Sequence, residues 1–210
     1  TLTTGNAPGN DLRLTEGKLS ASRNFVNKIW NASRYVLTMI TDEDRAANWE
    51  NPHIENRQDK WIVSRLNRTI GEVNQLTQDF QFGEAQRQIH DFFWNEFCDW
   101  YIEMSKLRLR EKVGPSPVPV LAHVLEKSLR LMHPFIPFVT EEIWQILIAN
   151  LPTRNDLPES IMIATYPVLD SQSVDDQSEK EVEQITSVIR SIRNIRAEFK
   201  IPTSQPLTTF

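Results

Sequence analysis

Between Gln58 and Phe80 the apolar residues Trp61, Ile62, Leu66, Ile70, Val73 and Leu76 recur every three or four positions. That spacing is one buried stripe of an α-helix, sustained for about six turns. The same period returns from Phe82 to about Arg110, with Phe92, Phe93, Phe97, Trp100, Tyr101 and Met104. It returns again from Val118 to His133, with Leu121, Val124, Leu125, Leu129 and Met132. Gly114-Pro115-Ser116-Pro117 breaks the chain between these two stretches, and the run His133-Pro134-Phe135-Ile136-Pro137-Phe138 forces a bend. A short helix to about Asn150 then carries Ile143, Trp144 and Leu147. With a helix from Ser20 to Thr41, the pattern predicts a mainly α fold: four long helices, the fourth bent by proline, in an antiparallel bundle.

The Ser20 to Thr41 stretch differs in its polar side. On a helical wheel Phe25, Val26, Ile29, Trp30, Val36, Leu37 and Ile40 form an apolar arc, expected to face the core. Arg23, Asn24, Asn27, Asn31, Arg34 and Thr38 form the opposite arc, with Lys28 and Tyr35 on its border. No acid occurs from Gly17 to Thr41, in a chain that has 28. Guanidinium forks beside carboxamides that both donate and accept hydrogen bonds suit phosphates and unstacked bases. A solvated helix face that lacks acids by chance would carry the same residues.

A net charge of −5 excludes a broad phosphate-binding surface, so any nucleic-acid patch is local. One cysteine, Cys98, excludes an internal disulfide framework, and four scattered histidines give no metal-ligand spacing. Cys98 follows His90 by eight residues amid aromatics and reads as an inert buried thiol. No apolar run is long enough to span a bilayer, and the expected setting is cytoplasmic, with no membrane and no DNA as partner. No Gly-rich phosphate loop, paired-cysteine motif or Ser-His-Asp arrangement is present, and the sequence offers no catalytic residue. Glu141 and Glu142 sit in the first turn after Pro137, where helix-end electrostatics account for them.

Residues 1–17, with three of the six glycines and Pro8, read as a loop with one short strand, the tail of something upstream. Residues 151–210 change character. Ile161 to Pro167 could form a short strand, and a last helix is expected from about Asp176 to Phe199. Its Val182, Ile185, Val188, Ile189, Ile192 and Ile195 are expected to face inwards. Arg190, Arg193 and Arg196 gather near its C-terminus, where cations are favoured. Ile201 to Phe210 reads as the start of a strand, so both ends look cut.

Four segments carry a resemblance. Ala21 to Leu37, Trp94 to Lys106, Leu129 to Gln145 and Ile192 to Pro202 resemble, in order, the helical anticodon-binding domain of valyl-tRNA synthetase and the segment after it. The third is shared by the isoleucine, leucine and valine enzymes of class I, while Glu96-Phe97-Cys98-Asp99-Trp100-Tyr101 points to valine. The resemblance implies a bundle of the class I anticodon-binding type at residues 18–150. It implies the tail of a stem before that bundle and a truncated small α/β part after it. It also implies that Arg23, Lys28 and Arg34 meet anticodon phosphates or base edges, that Asn24, Asn27 and Asn31 offer amides, and that Tyr35 supplies a stacking face. The implied partners are valine tRNA and other domains of the same ligase. No cofactor is implied within these residues, because ATP and valine bind a catalytic domain that they do not include. A domain-docking helical module, or the equivalent domain of an isoleucine or leucine enzyme, remains the alternative.

Overall fold

A computed structural model describes residues 14–41, 44, 48–151, 157–202 and 205. The first helix, α1 (Glu16–Met39), begins at Thr15, whose side chain accepts from the Lys18 amide. It starts a turn earlier than the apolar period alone indicates, because that capping threonine precedes the first apolar contact. Phe25, Ile29 and Val36 are buried, as the wheel predicts, and Ala32 is buried with them. Trp30 is not: it is 41% exposed. It stands about 100° or more around the helix from Phe25, Ile29 and Val36, too far to share their face.

α2 (Arg57–Gln78) buries Trp61, Ile62, Leu66, Ile70 and Val73 along its predicted stripe. The next helical rod has three parts: α3 (Phe82–Asp91), a π-helical stretch (Phe92–Tyr101) and α4 (Ile102–Glu111). The sequence predicts one α-helix here, and the structure winds its middle more widely. With hydrogen bonds running five residues back, residues five apart fall on one face. Phe92, Phe97 and Ile102 thus bury together, as do Phe93 and Cys98. Ring contacts also link residues four apart: Phe93 and Phe97 are tilted at 5.3 Å between ring centres, and Phe97 stacks on Tyr101 at 6.3 Å.

Side-chain pairs set the directions. Arg65 of α2 reaches Glu96, and Asp59 at its start reaches Arg108 of α4, so α2 runs antiparallel to the rod. Phe25 meets the His90 ring in a tilted contact, Lys28 reaches Asp99 and Tyr35 lies under Lys106, so α1 runs parallel to it. α5 (Val118–Met132) and α6 (Pro137–Asn150) complete the bundle around the proline bend. The Trp144 indole donates to Glu126 Oε1 at 3.0 Å, and Arg130 pairs with the same carboxylate.

The C-terminal part departs from expectation in two places. Ile161–Ile163 is a 3-10 turn, not a strand, with the Met162 amide donating to Ser160 Oγ at 3.1 Å. Only Ile161 of the three is buried. Among the described residues no strand occurs, so no partner is at hand for one. The strands expected within residues 1–17 and from Ile201 to Phe210 lie mostly outside the described residues, and those described there, 14–17, 201, 202 and 205, are in no strand.

α7 (Asp176–Glu198) docks by its first half. Glu179 accepts from Arg68 Nε at 2.8 Å and from Ser64, while Arg57 pairs with Glu181. Val182 and Thr186 are buried, and Ile189 packs against the core from its edge. Ile185, Val188, Ile192 and Ile195, expected to face inwards, are exposed. The helix carries two apolar rows, and the described bundle covers only one of them.

Candidate nucleic-acid interface

α1 presents the polar arc outward. Arg23, Asn24, Asn27, Asn31 and Arg34 are all exposed, and among the described residues neither arginine forms an ion pair. Their arrangement follows from the opposite face: Phe25, Ile29 and Val36 are seated in the core, so the residues between them turn to solvent.

The border of the arc is different. Lys28 and Tyr35 are half-buried against the aromatic rod. Lys28 Nζ lies 2.7 Å from Asp99 Oδ1 and 4.8 Å from the Trp94 ring centre. Lys106 Nζ sits 5.2 Å from the Tyr35 ring centre and 2.6 Å from Glu103. Burial pushes the Tyr35 phenol up, with Lys106 opposing. The face that lacks acids in its own helix therefore receives two, Asp99 and Glu103, from its neighbour, both along one edge. Lys28 is neutralised there, whereas Arg23 and Arg34 are not.

Two side chains stand at this surface that the sequence reading did not place there; Trp30 it put in the core-facing arc. Trp30 is exposed beside Arg23 and Arg34, and Lys106 covers Tyr35. The wheel held a signal for Trp30, since it lies about 20° from Arg23 and about 40° from Arg34. No local signal links Lys106 to Tyr35, a contact between distant segments.

A second cationic group lies across the rod. The guanidinium carbons of Arg190 and Arg193 stand 5.5 and 5.1 Å from the Trp100 ring centre. Below them a cleft of about 510 Å³ is lined by Trp61, Arg65, Glu96, Trp100 and Glu179. Arg65 is held there by two carboxylates, Glu96 at 2.8 Å and Glu179 at 3.6 Å. Cys98 is buried, and desolvation pushes its thiol up to about 12, leaving it protonated and unreactive. Among the described residues no group of three His, Cys, Asp or Glu side chains could hold a metal ion.

A helical bundle that displays one arginine- and asparagine-rich helix face has the chemistry of an RNA-facing module. Comparison with known proteins agrees with that class. Residues 59–210 match the model of the anticodon-binding domain of tRNA ligase, and the chain belongs to this family. It is 46% identical over 206 residues to the valine–tRNA ligase of Dehalococcoides mccartyi strain CBDB1, covering 97% of this chain and 23% of that protein. It is 44% identical over 210 residues to the valine–tRNA ligase of Enterococcus faecalis, covering 99% of this chain and 23% of the relative. The chain thus spans about a quarter of the length of these enzymes. The fold is similar to that of LeuRS from Agrobacterium radiobacter K84, solved in a ternary complex with tRNA and LeuAMS. That similarity has a TM-score of 0.56 at 21% identity, over 78% of this chain and 18% of the other.

Proposed function

We propose that this polypeptide holds the anticodon stem-loop of valine tRNA as part of a valine–tRNA ligase, a cytoplasmic enzyme that joins valine to its tRNA. The observation that carries the reading is the open arc of α1, with Arg23 and Arg34 exposed and Asn24, Asn27 and Asn31 between and beside them. Valine is preferred over isoleucine or leucine because the relatives cited above, at 44–46% identity, are valine enzymes. Single-stranded loops suit such a face, because unpaired bases expose edges for amides and guanidinium groups. ATP and valine would bind elsewhere in the ligase, and the residues here would orient the tRNA without touching the reacting atoms. Partners are then valine tRNA and the other domains of the ligase, with neither DNA nor membrane; among the described residues no helix is long and apolar enough to cross a bilayer.

Binding of the polypeptide to valine tRNA, and to the same tRNA with a leucine anticodon, tests this directly. Weaker binding of the altered tRNA at low salt is expected. Equal affinity for both would show that the anticodon is not what the α1 face reads.

A further inference from the structure

We infer that the Trp30 indole is a stacking platform for one unstacked nucleobase, at the edge of the α1 face. This rests on the reading of α1 as an RNA-facing surface and adds a contact to it. Trp30 is 41% exposed, on a side of α1 turned away from Phe25, Ile29 and Val36, which are at most 8% exposed. Among the described residues no aromatic ring or cation covers it, in contrast to Trp94 and Trp100, which lie under Lys28 and Arg190.

Its neighbours decide what suits it. Arg23 lies two turns above Trp30 on nearly the same line and Arg34 one turn below, both exposed, with Asn27 on the same side. A protein lid that covered the indole would also remove water from two guanidinium groups that have no described acid partner, which is costly. A nucleotide strand solves both problems at once, since its base covers the ring and its phosphates neutralise the arginines. The acids point the same way. Asp99 and Glu103 stand beside Lys28 and Tyr35, about 140–160° around the helix from Trp30. Phosphates are repelled from that edge and accepted at the Trp30 edge.

The test uses the valine anticodon stem-loop RNA carrying 2-aminopurine at each loop position in turn. With the native polypeptide, one position should be quenched on binding beyond the quenching in free RNA. Trp30→Leu should lose that quenching and bind about tenfold more weakly, and Trp30→Phe should recover most of both. Because the side chain is exposed, thermal melts of the variants should match the parent. Quenching and affinity unchanged in Trp30→Leu would overturn the platform while leaving the α1 face intact. No binding of the stem-loop by the native chain at low salt would overturn the α1 reading, and the platform with it.

Discussion

Lys28 of α1 and Asp99 of the π-helical stretch are joined across the helix boundary at 2.7 Å, with Lys28 also held above the Trp94 ring at 4.8 Å. The pair removes one positive charge from the α1 face and places a carboxylate beside it. Both partners are partly exposed, so the pair contributes less than about 1 kcal/mol to folding. Its effect on a polyanion is larger. Asp99→Asn should leave the melting temperature almost unchanged and tighten tRNA binding several-fold at low salt. The gain should fade as salt is raised, because an added surface charge is screened. Anisotropy titrations at two salt concentrations read this out, and equal affinities at low salt would place Lys28 away from the RNA.

The most sensitive point of the bundle lies deeper. Asp59, 1% exposed, accepts from the Tyr101 hydroxyl at 2.7 Å and pairs with Arg108, whose other nitrogen donates to the Pro115 carbonyl at 2.8 Å. This ties the start of α2 to the π stretch, to α4 and to the turn before α5. Removing one charge strands the other in a dry site. Arg108→Met should therefore cost about 3–5 kcal/mol, and Tyr101→Phe, which deletes one neutral donor, about 1–3 kcal/mol. Urea unfolding of both variants orders them. A smaller loss for Arg108→Met than for Tyr101→Phe would contradict this assignment.

Acid should unfold the bundle through His123. Its ring donates from Nδ1 to the Trp49 carbonyl at 3.1 Å, and burial pushes its pKa down to about 4. The unfolded chain, with an ordinary histidine, binds the proton first as pH falls below about 6.5. Stability is thus full above pH 6.5 and is lost as pH falls towards 4. Between pH 7 and pH 5 the loss from this one group is about 2 kcal/mol. His123→Asn, which keeps a donor but cannot ionise, should show a shallower acid limb in urea melts at the two pH values. An unchanged limb would assign the acid sensitivity to other groups.

The helices were legible in the sequence because each core stripe is local: Trp61 to Leu76 and Leu121 to Met132 carry the three-four period within one segment. The open arc of α1 was legible for the same reason. What escaped depends on contacts between segments. The π winding cannot be told from an α-helix at Phe92 to Tyr101, where aromatics are dense enough to fit both periods. Ile185, Val188, Ile192 and Ile195 have the spacing of a core row, but whether anything covers a row is a property of its neighbours. Asp99, Glu103 and Lys106 reach α1 from more than sixty residues away, so an acid-free stretch of sequence did not make an acid-free surface.

The two open arginines give the sharpest electrostatic prediction. Each phosphate contact releases counterions, so the slope of log affinity against log salt counts such contacts, at about 0.7 to 0.9 per phosphate. Arg23 and Arg34 form no ion pair among the described residues, so their charges are available to phosphates without first breaking a protein contact. Arg23→Ala with Arg34→Ala should therefore lower the slope by about 1.4 to 1.8 and weaken low-salt binding of valine tRNA. Both side chains are exposed, so the double variant should melt like the parent. Lys112→Ala with Arg110→Ala, at the end of α4, removes the same charge from another exposed place and controls for net charge. If that pair flattens the salt slope as much as the α1 pair does, the RNA responds to the overall charge of the bundle and not to the α1 face.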